Sequence, residues 1–186
     1  MSLDPELINR VTWKIPNALV LVGSRSGDER NAMTTSWVTQ LSMEPVIIGI
    51  GVDNTAITHR LISEGGCLSV NLWDAENTRP FVKFSKPASD ADGALNGRPV
   101  TAQATGAPIF DEAIAWLDCR VRQAIDFGTH TLFAGELADA GINKGWWVQL
   151  KSTREVIQNK IITKTAAVEF AEKHREMSAG GNKKVA

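Results

Sequence analysis

Residues 31–45, NAMTTSWVTQLSMEP, gather five hydroxyl side chains (Thr34, Thr35, Ser36, Thr39 and Ser42) around one indole, Trp37. Hydroxyls donate to and accept from phosphate oxygens, and an indole offers a flat apolar face. The set suits a phosphorylated aromatic ligand, although a Thr-rich strand of an ordinary barrel has the same composition. A second group, Asp53, Asn54 and Thr55, closes an apolar run with three helix-capping residues. A helix starting near Thr55 would turn free amides and a positive dipole end toward an anion, and plain capping explains the same residues. Asn71, within CLSVNLW at 67–73, carries an amide able to pair with a flavin or nucleotide edge, or to close a turn from within the core. His130 ends the segment DFGTH. Its imidazole can position a ligand, donate a proton near neutral pH, or hydrogen-bond within a hairpin. His59, Lys83 and Lys86 stay unassigned, and His174 reads as a surface residue. No Ser/His/Asp set or carboxylate pair is evident.

Strands must position most of these groups. Residues 4–13 read as a short helix with Pro5 in its first turn, and 18–23, ALVLVG, as an apolar strand. SRSGDERN at 24–31 is a loop or hairpin connection into the hydroxyl-rich strand. PVIIGIGV at 45–52 follows as a buried strand whose glycines admit a close neighbour. The helix from Thr55 ends at Gly65 and Gly66, residues 67–73 return as a strand, and a second short helix covers 74–85 despite Pro80. Residues 85–99, rich in Gly, Pro, Ser and Asp, read as a long mobile loop. Strands at 114–125 and 131–140 pair across 126–130. A last strand at 146–150, a helix at 161–177 and a disordered tail complete the pattern. Six or seven strands with three or four helices predict a mainly β fold, an antiparallel barrel with helical additions.

With 186 residues the chain fits one domain, and a net charge of −1 with pI near 6.3 supplies no basic surface for nucleic acid. Cys67 and Cys119 lack metal-ligand spacing and read as buried reduced thiols, so no metal site is expected. The N-terminus has no signal-like apolar core, and no run approaches the roughly 20 apolar residues of a membrane span. The expectation is a soluble cytoplasmic protein.

In their order along the chain, NAMTTSWVTQLSMEP, PVIIGIGVDNTAITHRLI, GGCLSVNLW and GTHTLFAGELADA resemble the flavin reductase-like family over residues 11–142. The resemblance implies a six-stranded antiparallel Greek-key split barrel over 1–160, with 161–186 as a C-terminal extension. It also implies FMN, or FAD, bound at a homodimer interface, and the six Trp residues fit a dimer. Thr34, Thr35, Ser36, Trp37 and Thr39 would line the flavin, and Asn54 and Thr55 would hold its phosphate. Asn71 would touch the cofactor, and His130 would be the catalytic residue on the nicotinamide side. The implied activity moves hydride from NAD(P)H to a flavin that passes electrons onward, for instance to a partner oxygenase. The alternative is a flavin-binding electron carrier or non-catalytic module reduced by another protein. Two departures stand out: Thr129 replaces the acidic residue expected before the His, and where many relatives finish with a Tyr-containing strand this chain, which has no Tyr, continues through residues 145–156, GWWVQLKSTREV, into a helical extension.

Overall fold

The unbroken apolar run at 18–23 is explained by burial on both faces: Val20 and Val22 enter one core and Leu21 another, all fully buried. The computed structural model describes residues 4–74 and 77–143. The expected strand at 146–150, the C-terminal helix and tail, and His174 lie outside the described residues. Eleven strands are described, the first five being β1 (Val20–Ser26), β2 (Glu29–Thr35), β3 (Val38–Met43), β4 (Val46–Asp53) and β5 (Cys67–Leu72). The others are β6 (Asp90–Ala91), β7 (Ala94–Leu95), β8 (Arg98–Ala102), β9 (Pro108–Phe110), β10 (Ala115–Asp126) and β11 (His130–Ile142). Three helices join them, α1 (Pro5–Thr12), α2 (Ile57–Gly65) and α3 (Arg79–Lys83).

The main sheet is antiparallel, with the order β2-β1-β5-β10-β11-β4-β3. Val20 and Val22 of β1 share one core cluster with Ile48, Ile50 and Val52 of β4, although three strands separate β1 from β4 in the sheet. The sheet therefore curls strongly, and Ile62 of α2 closes over the same cluster. The other core joins Leu21 and Ala32 to Trp73, Phe81, Phe84, Leu95 and Phe110, beneath α3 and a small sheet β6-β7-β8-β9.

Four expectations are corrected. The hydroxyl-rich run is two strands rather than one, so the main sheet has seven strands and not six. β2 stops where its partner stops, at Val20↔Thr35, and the chain then crosses to pair Val38 with Ile50 at the opposite border of the sheet. Ser36 and Trp37 form this corner. The helix expected over 74–85 is only the five-residue α3. The loop at 85–99 is instead an ordered meander. Its turns are Asp92-Gly93 and Asn96-Gly97, all four residues with positive φ, as two-residue hairpins require. Finally α2 starts at Ile57, with Ala56 as an N-cap that makes no side-chain bond.

At the N-terminus α1 forms as expected, with Asp4 accepting from the Glu6 amide, and buries no residue. No helix among the described residues is long and apolar enough to cross a membrane.

Candidate functional site

Two cavities lie at the two ends of the segment Thr34 to Trp37, with Thr34 lining one and Trp37 the other. One, of about 440 Å³, is lined by Trp37, Val38, Thr39, Gly49, Gly51, Phe127, His130 and Leu132, with Ile15 and Asn17 at its rim. It is an open apolar trough within the size range of small-molecule sites. The other, of about 280 Å³, is lined by Asn31, Thr34, Thr55, the first turn of α2, Ser85 and Lys86. Its walls include the apolar groups of Met33, Phe84 and Pro87, and its polar groups are hydroxyls, an Asn amide and the Lys86 cation.

The aromatic trough owes its shape to β4. A Cβ at Gly51 would come within 2.8 Å of the Trp37 ring, and one at Gly49 within 2.8 Å of Leu41. The close neighbours admitted by these glycines are thus Trp37 of the corner and Leu41 of β3. Trp37 lies across the strand and meets His130 with ring centroids 4.3 Å apart and planes tilted by 35°. His130 opens β11 directly opposite Asp53 of β4, and its Nδ1 lies 3.0 Å from Thr129 Oγ1. Thr129 therefore supplies the local partner that an acidic residue would otherwise give.

The hydroxyls of the corner divide their work. Thr34 Oγ1 donates to the Phe81 carbonyl at 2.7 Å and its amide donates to Phe84 O at 3.0 Å, fastening α3 to β2. Thr35 Oγ1 accepts from the Trp37 amide at 3.2 Å, which shapes the turn. Among the described residues the Thr39 hydroxyl has only Gln40 O at 3.5 Å, too long to hold it, and Thr39 lines the trough. Ser36 is half-buried beside them. Trp37, Thr39 and His130 line the trough and Thr34 the polar cavity, with Thr35 and Ser36 between them in the chain.

The other candidates are placed differently. Asn71 is fully buried and away from both cavities. Its amide donates to Leu21 O and Ser69 Oγ and accepts from the Phe110 amide, so it clamps the core rather than facing a ligand. Thr55 borders the polar cavity, but its amide and hydroxyl both donate to Asp53 Oδ1, at 2.8 and 2.7 Å. The Thr55 hydroxyl and amide hold the Asp53 carboxyl below the usual range. Asn54 spends its amide on the β10–β11 turn. The groups there that could meet an anion are the first turn of α2, which carries no acidic residue, and Lys86. His59 faces Thr131 and Phe133, not the polar cavity. Phe127 and Ser85 are not singled out in the sequence and Lys86 is unassigned there, yet Phe127 lines the trough and Ser85 and Lys86 line the polar cavity. The Ser-Lys pair directly after an aromatic run was the available signal for the last two.

The description "flavin reductase like domain" fits this chain over residues 12–147, where that family's model matches. The chain belongs to the flavin reductase-like family. Membership places it among flavoprotein oxidoreductases, with the mainly β antiparallel architecture seen here. The ferric-chelate reductase (NAD(P)H) of Archaeoglobus fulgidus is 28% identical over 163 residues, covering 87% of this chain and 96% of that protein. A Synechocystis sp. chain bearing the name diflavin flavoprotein A 2 is 32% identical over 135 residues, 70% of this chain and 23% of that one. The family member described here therefore spans about a quarter of the length of the diflavin proteins it matches. Among solved structures, the NADH:FAD oxidoreductase of Streptomyces globisporus has a TM-score of 0.70 at 23% identity, covering 82% of this chain and 92% of that one. This last likeness is one of fold.

Proposed function

We propose that the chain is an NAD(P)H-dependent flavin reductase that holds FMN along Thr34 to Trp37 and passes electrons to an external acceptor, free flavin or a partner oxygenase. One observation carries this: a four-residue corner joins an anion-suited cavity at α2 to an aromatic trough that contains His130. The cavity at Thr34, Ile57 and Lys86 suits a single terminal phosphate, which favours FMN. In the trough, Trp37 and His130 provide the surface on which a planar ring and a nicotinamide can be stacked and oriented. Bound flavin supplies the hydride acceptor and the redox chemistry. The protein's residues bind, orient and shield it; His130 hydrogen-bonds the nicotinamide side, and Ser36 and Thr39 offer hydroxyls to the ring's polar edge.

The test is an absorbance scan of the purified protein with FMN or FAD, followed by NADH and NADPH consumption. A flavin spectrum with consumption of either nucleotide is expected; flavin-loaded protein that consumes neither refutes the proposal. Ser36→Asp should weaken FMN about tenfold, because a carboxylate then sits near anionic and electron-rich atoms. Fluorescence titration measures this, and unchanged affinity would remove Ser36 from the site.

Homodimer formation belongs to the same reading. The apolar side chains of α1, Leu7, Ile8 and Val11, lie exposed, and Trp13 and Ile15 carry this surface to Trp37 and Phe127 at the trough. Sedimentation at micromolar concentration is expected to give a dimer, and a monomer would contradict it. Two free buried thiols, Cys67 and Cys119, support a cytoplasmic setting. Burial pushes the Cys119 thiol up to about 12, which keeps it out of the redox chemistry.

A further inference from the structure

Asn54 stands just beyond β4 and directs its side chain and its amide onto a single turn. Its Nδ2 donates to Asp126 Oδ1 at 3.2 Å and to Gly128 O at 2.9 Å. Its Oδ1 accepts from Thr131 Oγ1 at 2.8 Å, and its backbone N–H donates to Thr129 O at 3.0 Å. Asp126 Oδ1 accepts a second bond from the Gly128 amide at 2.8 Å, where Gly128 has φ +95°. The turn between β10 and β11 is thus held from one residue.

The bonds continue into α2. His59 Nε2 lies 2.9 Å from Thr131 Oγ1. That hydroxyl gives its one proton to Asn54, so His59 Nε2 is the donor. An unbroken chain of hydrogen bonds therefore runs from α2, whose first turn lines the polar cavity, to the turn that sets His130 against Trp37.

We infer that Asn54 is the positioning residue for His130, fixing the turn that carries the imidazole and tying it to the helix at the anion end of the site. Thr129, the immediate neighbour of His130 Nδ1, lies in the exposed turn itself and gains its place from the Asn54 amide at its carbonyl. Asn54 thus does, through the backbone, what a carboxylate before the His would do through its side chain. The inference rests on the proposed role of His130 beside the nicotinamide. It assigns Asn54 to the hydride end of the site, where the sequence had suggested the phosphate end.

The titratable groups around Asn54 are Asp53 from β4, Asp126 from β10, His130 from β11 and His59 from α2. Asn54→Ala should lower kcat/KM for NADH about tenfold or more, since small misplacements of an orienting group are costly. FMN affinity should stay within about threefold of the parent, and the imidazole NMR signals of His130 should shift. Asn54→Asp sets a second carboxylate against Asp126. One of the pair then takes up a proton more readily, so turnover should fall at neutral pH and recover as the pH is lowered.

The inference is overturned if Asn54→Ala weakens FMN in step with turnover, if the His130 signals do not move, or if the turnover of Asn54→Asp does not recover as the pH is lowered. A parent protein that consumes neither nucleotide removes the reductase reading instead. The His130 signals still decide the clamp in that case.

Discussion

Asn71→Leu is expected to destabilise the protein by about 3 kcal/mol while leaving the FMN affinity of the folded fraction close to the parent value. Asn71 makes three hydrogen bonds in full burial: to Leu21 O at 3.3 Å, to Ser69 Oγ at 3.0 Å and from the Phe110 amide at 2.9 Å. Leu fills the space but leaves the Phe110 N–H inside the core with no acceptor. An unmet buried donor costs about 1–3 kcal/mol, and the loss of the two donated bonds adds to it. β9 is held to β5 at this point and by Ser69 Oγ donating to Pro108 O, so its attachment weakens. For a chain of this size the melting temperature should drop by about 6–12 °C. Thermal melts and FMN titration of the same sample separate the two roles. If stability holds and flavin affinity collapses, Asn71 is a ligand contact after all.

Gly65→Ala should cost about 3 kcal/mol or more, for want of space and not of backbone freedom. A Cβ built there lies 1.7 Å from the Arg25 carbonyl oxygen and 2.9 Å from its carbon. Both are backbone atoms of β1, so no side chain can swing aside, and the end of α2 must lift from the sheet. α2 carries Leu61 and Ile62 into the interior, both fully buried, so that movement also opens the core. The neighbouring Gly66 is the contrast. It sits at φ +64° with nothing within 4 Å of a new Cβ, so Gly66→Ala bears only the left-handed penalty of about 1–2 kcal/mol. Urea denaturation of the pair should rank Gly65→Ala well below Gly66→Ala, and the reverse order would refute the packing account.

How far the sequence alone reaches is shown by these same residues. The ordered motifs identified the family, and local pattern located α1, β1, β4, β5 and the β10–β11 hairpin, since each has a strong apolar period or a turn residue at its end. The corner at Ser36–Trp37 was hidden. No Gly or Pro marks it, and Thr, Trp and Val favour extended backbone on both sides, so only pairing with distant β1 and β4 decides where one strand stops. Side-chain direction was hidden too. Asn54, Thr55 and Asn71 all carry groups that could meet a ligand, yet each is claimed by a partner: Asn54 by the turn at 126–131, Thr55 by Asp53 next to it, Asn71 by Leu21, Ser69 and Phe110. The meander at 90–102 was legible and missed. Asp-Gly and Asn-Gly between short apolar stretches are strong hairpin signals, which a loop reading based on composition passes over.

The two borders of the curled sheet, β2 and β3, are joined by covalent chain at Ser36 and Trp37, with no ladder pairing them among the described residues. Whatever lies along that line touches both borders at once and acts as a removable stitch. Its binding free energy would then resist the opening of the seam, so a coenzyme held there as proposed would be a structural fastener as well as a reagent.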